Sequence, residues 1–285
     1  MKRFRYVLAD VFTDRALEGN PLAVFTNATG LPEAMLQKIA RELNLSETVF
    51  VYPPTTRGEA HVKIRIFTPE AELPFAGHPV LGTAFVLGIP LQAVEVLLET
   101  GMGIVPVVLE RDGARIIFGW MRQPLPTVEP LGEAETTELL AALGVERSLL
   151  PVELYDNGVR HIYVALESEA AVAALEPDVN RLRAIGALGI NCFAGEGLAW
   201  KTRMFAPGKG VVEDPATGSA AGPLALHLAR HGRIAFGDEI VISQGAELLR
   251  PSTLYARAEG SADELLAIQV GGSAVVVARG EFQLT

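Results

Sequence analysis

Three stretches of this chain carry residue types suited to proton transfer and anion binding. In Leu45-Ser46-Glu47-Thr48-Val49-Phe50-Val51, strand alternation places Glu47 on the same face as Leu45, Val49 and Val51. A carboxylate on an apolar face is costly when ionised. Desolvation there raises its affinity for a proton, the condition for a general acid or base at neutral pH. Two other arrangements stay open: Glu47 begins the strand and points to water, or the face carrying Phe50 is the buried one.

The second and third stretches are a matched pair of turns, Pro74-Phe75-Ala76-Gly77-His78 and Pro215-Ala216-Thr217-Gly218-Ser219. Each runs into an apolar segment that reads as a helix. A helix start leaves unpaired N–H groups and a partial positive charge, and glycine there lets a carboxylate or phosphate approach the main chain. A lone glycine before a helix is ordinary punctuation; two at matched positions favour a ligand, a small anion held by both helix starts. His78 adds an imidazole able to donate a hydrogen bond or a proton, or else caps its helix. Ser219 equally reads as an N-cap. Asp214 stands where the first copy has Leu73, so it is either the polar asymmetry that an asymmetric substrate requires or a solvated loop aspartate.

Other signals exclude chemistries. His227 and His231 have metal-ligand spacing on a helix, but no Glu lies between them and no third ligand is near in sequence, so they read as helix-end histidines and no metal is expected. Cys192 is the only cysteine, which rules out an internal disulfide, a redox pair and a multi-thiolate zinc site. Glycine-rich nucleotide loops and a Gly-x-Ser-x-Gly elbow are absent, so no nucleotide cofactor is indicated. The net charge of −10 and the scattered Lys and Arg speak against nucleic acid as a partner.

The elements that must position these residues also come in two copies. Arg65-Ile66-Phe67-Thr68-Pro69 recurs as Arg203-Met204-Phe205-Ala206-Pro207 upstream of the two turns. Downstream, "PVLGTAFVLG" and "AAGPLALHLARHG" read as helices, each stopped by a glycine. Upstream, the amphipathic "EAMLQKIARELNL" and "DVNRLRAIGALGI" lead into short strands, "ETVFVY" and "NCFAG". Asp112-Gly113 joins two strands as a hairpin. The proline-rich "GWMRQPLPTVEPLGEAE" is read as a linker. The division expected is a first lobe over 1–118 and a second over 119–264. Strands within 265–285 either complete the first lobe or stay with the second. With 285 residues, 49% hydrophobic and 20% charged, the chain can bury two sizeable cores. Every apolar run is interrupted by Gly, Pro or a charge, so a membrane span is not expected, and the N-terminus reads as a first strand of a cytoplasmic protein.

At the level of motifs, "NLSETVFV", "RIFTPEAELPFAGHPVLGTAFVLG", "RMFAPGKGVVEDPATGSAAGPLALHL" and "SQGAELLRPS" resemble the signature segments of the phenazine-biosynthesis PhzF-like family. The resemblance implies an α+β, diaminopimelate-epimerase-like fold: two pseudo-symmetric lobes, each a curved, mostly antiparallel sheet wrapped around a central helix, with the site in the cleft between them. It implies a homodimer, no cofactor and a small carboxylate substrate. Glu47 would move a proton between ring carbons of a dihydro-hydroxyanthranilate-like compound, His78 and Asp214 would orient it and relay protons, and Gly77, Gly218 and Ser219 would bind it. Related epimerases use paired cysteines at the two helix starts; here those places hold Ala76 and Thr217, so a two-thiol mechanism is excluded. Two departures from the family pattern are Leu22, where Cys is common, and Leu249, where Gly is usual. The reading is a cofactor-independent isomerase. Epimerisation by non-cysteine bases, or a non-catalytic anion receptor, are the rivals.

Overall fold

The computed structural model describes residues 2–186 and 188–284. Residue contacts divide the chain into two units, Met1–Arg122 with Gly271–Thr285, and Gln123–Val270. The first contains β1 (Lys2–Val11), β2 (Asn20–Phe25), α1 (Glu33–Leu43), β3 (Glu47–Tyr52), β4 (Val62–Phe67), β5 (Glu72–Leu73), α2 (Gly77–Leu91), β6 (Glu95–Thr100), β7 (Gly103–Asp112) and β8 (Arg115–Arg122). The second contains β9 (Thr127–Pro130), α3 (Glu133–Leu143), β10 (Glu153–Asp156), β11 (Arg160–Ala165), α4 (Glu169–Ala173), α5 (Val179–Ile185), β12 (Gly189–Glu196), β13 (Ala199–Ala206), β14 (Val211–Asp214), α6 (Gly218–Arg230), β15 (Ile240–Gln244), β16 (Ser252–Gly260) and most of β17 (Leu265–Gly272). The last strand, β18 (Ala274–Leu284), belongs to the first unit and pairs along the whole of β1, from Lys2 opposite Leu284 to Val11 opposite Ala274.

Strand pairing repeats from unit to unit. β1 is antiparallel to β2, β2 parallel to β3, β3 antiparallel to β4, β4 parallel to β6, and β6 antiparallel to β7. In the same sequence β10 is antiparallel to β11, β11 parallel to β12, β12 antiparallel to β13, β13 parallel to β15, and β15 antiparallel to β16. Antiparallel β9 stands to β10 as β18 stands to β1. The duplication read from two short motifs therefore extends over seven strands of each unit, while α3, between β9 and β10, has no counterpart among the described residues of the first.

A second duplicated device explains why those motifs persist. Arg65 on β4 forks onto Glu72 of β5, with Nε to Oε1 at 2.7 Å and Nη2 to Oε2 at 2.6 Å, and also binds Glu33. Arg203 on β13 forks onto Glu213 of β14, both bonds at 2.8 Å. Each guanidinium also lies over the next aromatic on its own strand, Phe67 at 5.2 Å and Phe205 at 5.0 Å. Planar, bidentate pairing of this kind fixes orientation as well as distance. It ties the short strand that precedes each glycine turn to the sheet, and so sets where each helix begins.

α2 is buried on every side from Gly77 to Gly88, and α6 from Gly218 to Ala229, the pattern of a helix enclosed by a sheet rather than lying on one. Each wholly buried leucine or valine on them, such as Val80, Leu81, Leu224 and Leu228, contributes about 1.5–3 kcal/mol. Close approach needs a residue without a side chain: a methyl on Gly82 would lie 2.6 Å from Val11 Cγ2 and 2.7 Å from Leu22 Cδ2.

The hairpin forms at Asp112-Gly113, with Gly113 at φ +59 and Asp112 opposite Arg115. α1 and α5 form where the amphipathic spacing puts them and lead into β3 and β12. Two expectations fail. α2 does not stop at Gly88 but continues through Pro90 to a left-handed Gln92, because Gly88 is a packing residue whose missing side chain admits Leu109 and Ile116. α6, by contrast, is followed by left-handed Gly232. The proline-rich segment is not simply a linker: β8 runs on to Arg122, and Thr127–Pro130 pairs with β10 with Pro130 last, where a missing N–H costs no further ladder bond. No helix among the described residues is long and apolar enough to cross a membrane.

Candidate active site

α1 ends at the left-handed Asn44, and the chain turns at once into β3, whose first residue is Glu47. Glu47 lies opposite Leu22 of the parallel strand β2. Its side chain is 14% exposed, so the carboxylate is neither in open water nor sealed. Alternation is not what places it: Thr48, Val49, Phe50 and Val51 are all buried, so both faces of β3 are covered.

Glu47 Oε2 lies 3.4 Å from Nε2 of His78, the second residue of α2 and only 3% exposed. Burial pushes the His78 imidazole down to about 3, so it is neutral at neutral pH and its contact with Glu47 is not an ion pair. On the other ring edge, Asn20 at the start of β2 places Nδ2 3.1 Å from His78 Nδ1. An amide nitrogen only donates, so Nδ1 accepts and the ring proton sits on Nε2, on the side of Glu47. Gly77 is the first residue of the same helix. Its N-cap is the extended Ala76, which supplies no side-chain cap to the first-turn N–H groups. Glu47, Gly77 and His78 are thus brought together in the first unit.

In the second unit Asp214, Gly218 and Ser219 lie in and just after one turn. Asp214 is buried and is no solvated loop residue; its Oδ2 accepts from Thr217 Oγ1 at 2.5 Å. Thr217 is the N-cap of α6, and its hydroxyl is spent on Asp214 rather than on the helix. Ser219 is therefore not the N-cap. It is the second helical residue, with its hydroxyl 3.0 Å from His161 Nε2. His161 is wholly enclosed, and burial, helped by the charge of Lys209, holds its imidazole well below the usual histidine range.

The carbonyls at this helix start have side-chain partners that sequence reasoning missed. Asn157 Nδ2 donates to Ser219 O at 2.9 Å, Tyr163 to Ala220 O at 2.7 Å and Gln123 to Gly218 O at 2.7 Å. The first has a plain cause. Ser219 O would normally accept from the N–H four residues on, and that residue is Pro223. The available signal was polar residues inside otherwise apolar strands: Asn20 in "NPLAVF", His161 and Tyr163 in "RHIYVA", and Gln244 ending "IVISQ".

The two remaining sequence signals resolve differently. Cys192 is buried on β12, and burial pushes its thiol up to about 12, so it is no nucleophile. His227 lies in the last turn of α6 and His231 is its C-cap, so both are helix-end residues as expected, but His227 is wholly buried. A third group does join them, from far away in sequence: Glu153 Oε2 lies 3.2 Å from His227 Nδ1, 2.9 Å from His231 Nε2 and 2.8 Å from the Tyr155 hydroxyl. Burial opposes ionisation of Glu153, but hydrogen bonds from His227, His231 and Tyr155, together with the charge of Arg230, hold its carboxyl at about 2. The carboxylate already receives these donors, and the cluster serves to tie α6 to β10.

Two like α+β units, each a mostly antiparallel sheet around a buried helix entered through glycine, define the diaminopimelate-epimerase-like class of fold. The profile of the phenazine biosynthesis-like (PhzC-PhzF) family matches residues 9–280. The trans-2,3-dihydro-3-hydroxyanthranilate isomerase of Pseudomonas chlororaphis is 52% identical over 279 residues, covering 98% of this chain and 99% of that one. A PhzF-family protein of Bacillus anthracis superposes with a TM-score of 0.84 at 25% identity, covering all of both chains. A structure described as a predicted epimerase, from Pseudomonas aeruginosa, gives 0.83 at 30% identity over 99% of this chain and 100% of its own. This chain belongs to the phenazine biosynthesis-like family, and its enzyme class is isomerase.

Proposed function

We propose that this protein isomerises trans-2,3-dihydro-3-hydroxyanthranilate or a closely similar cyclic amino- and hydroxy-substituted carboxylate, with Glu47 carrying the proton. The observation that carries the reading is the environment of Glu47: a nearly enclosed carboxylate beside a neutral histidine whose N–H side faces it. A neutral imidazole so held can donate to the carboxylate or to a substrate hydroxyl or amine without competing for the transferred proton. Glu47 takes a proton from one ring carbon, exchanges it with solvent through its exposed edge and delivers a proton to another ring carbon while the double bond moves. Nothing is oxidised or reduced, so the reaction asks for no redox cofactor.

Helix starts at Gly77-His78 and Gly218-Ser219 suit the substrate carboxylate and the negative charge of the dienolate-like transition state, since neither first turn is capped by its own N-cap side chain. Asp214, paired with Thr217, is suited to orient the amine or hydroxyl of the same substrate. Homodimer formation in the cytoplasm completes the proposal, and light scattering on the purified chain tests the dimer.

The test of the activity is turnover of trans-2,3-dihydro-3-hydroxyanthranilate by the purified protein and by Glu47→Gln, which keeps size and polarity. Loss of turnover in the variant with substrate binding retained supports the assignment. Turnover at the wild-type rate refutes it.

A further inference from the structure

Gln244, the last residue of β15, has a carboxamide in which every hydrogen-bonding position is used. Nε2 donates to the backbone oxygen of Asp214 at 2.7 Å and to Thr217 Oγ1 at 3.0 Å. Oε1 accepts from the Thr217 N–H at 3.2 Å and from the Thr202 hydroxyl at 3.2 Å. A side-chain amide has two donors and one oxygen, so this orientation satisfies all four contacts. The flipped one would set N–H against N–H and oxygen against oxygen. Gly245, next in the chain, takes φ +81, and a methyl there would lie 2.5 Å from Pro215 O. The strand end therefore rests directly on the Asp214-Pro215 turn.

The fixed amide sets a direction for the bonds that follow. Thr217 Oγ1 accepts from Gln244, so its single hydrogen is given to Asp214 Oδ2 at 2.5 Å. Gln244, Thr217 and Asp214 are all buried, so water does not compete for these bonds, and charge-assisted bonds are strong in such surroundings.

We propose that Gln244 and Thr217 are positioning residues for Asp214: a one-way hydrogen-bond relay from Gln244 through Thr217 fixes the orientation of the carboxylate toward the substrate. This rests on Asp214 acting on the substrate as proposed above. The arrangement also gives Thr217 a use for its hydroxyl other than the helix capping its position would suggest.

The experiment compares kcat, KM and melting temperature for Asp214→Asn, Thr217→Val, Thr217→Ser and Gln244→Glu with trans-2,3-dihydro-3-hydroxyanthranilate. Val has the shape of Thr without the donor. The expected result is a fall in kcat of about 10- to 100-fold, the rate equivalent of one charge-assisted hydrogen bond, with KM changed much less. Thr217→Ser, which keeps the hydroxyl, restores most of the loss. Gln244→Glu removes the Nε2 donor, sets a second acceptor beside Thr217 and lowers kcat in the same sense, so the relay can be judged even where Thr217→Val folds poorly. Wild-type kcat in Thr217→Val or Gln244→Glu beside an inactive Asp214→Asn refutes the relay alone, as does Ser behaving no better than Val. Wild-type kcat in Asp214→Asn refutes the underlying role of Asp214.

Discussion

Lowering the pH from about 7.5 to about 5 crosses the ordinary histidine pKa and perturbs side chains that this fold keeps neutral. His78 is pushed down to about 3 by burial, and His161 lies well below its ordinary value by burial and the charge of Lys209. His227 is also lowered, by burial, against the opposing hydrogen bond to Glu153. A histidine with a depressed folded-state pKa binds no proton where the unfolded chain does, so stability falls as pH drops below the unfolded value of about 6.5. Each such group contributes a slope of about 1.4 kcal/mol per pH unit, or about 2 kcal/mol between pH 6.5 and 5. His78 alone removes about 2 kcal/mol over that interval, a sizeable share of the 5–15 kcal/mol typical of a domain, and His161 and His227 act in the same direction. Glu153 does not blur the effect. Its carboxyl is held at about 2, so the stability it contributes is present above about 4.5 and is lost only as pH falls toward 2. Urea unfolding at stepped pH, followed by tryptophan fluorescence, measures the slope. His161→Gln keeps a hydrogen-bonding side chain without the titration and should flatten the slope by about 1.4 kcal/mol per pH unit. Stability constant across the interval, or an unchanged slope in His161→Gln, would refute the reasoning.

Other perturbations follow from single positions. A methyl at Gly222 would overlap Ile268 Cγ2 and Gln123 Oε1, so Gly222→Ala should cost about 1–3 kcal/mol of stability by overpacking, read as a lower melting temperature. Leu249 takes left-handed φ +56 and is 86% exposed, so Leu249→Gly should stabilise by about 0.5–1 kcal/mol in urea unfolding, relief of the left-handed strain outweighing the added freedom of the unfolded chain. Thr217→Val should separate kcat from KM as set out above.

Much of the frame was legible because the duplicated features are local. The Arg-x-Phe strands, the glycine turns and the helices after them are each written in a few adjacent residues. Leu249 was legible in the same way: the place where the family pattern has glycine is the place where the backbone is left-handed. Glu47 was legible as a residue but for an incomplete reason, since alternation says nothing about a strand covered on both faces. Partners from distant strands could not be read. Asn20 meets His78, His161 meets Ser219, and Glu153 meets His227 and His231 only once the sheets have closed around the helices. Ser219 looked like a cap because serine often is one, while the true N-cap, Thr217, was committed to Asp214. Gly88 looked like a stop because its packing against Leu109 and Ile116 leaves no trace in the local pattern. β9 was hidden because three prolines in one segment outweigh the four residues that pair with β10.

The central claim is proton transfer by Glu47, and the measurement that tests it most directly is deuterium incorporation. The wild-type protein and Glu47→Gln are each incubated with trans-2,3-dihydro-3-hydroxyanthranilate in deuterated water, and the recovered compounds are read by NMR. The account predicts deuterium at a ring carbon with the wild-type protein, and, with Glu47→Gln, neither incorporation nor isomerisation despite retained binding. Incorporation and turnover at the wild-type rate in Glu47→Gln would contradict it.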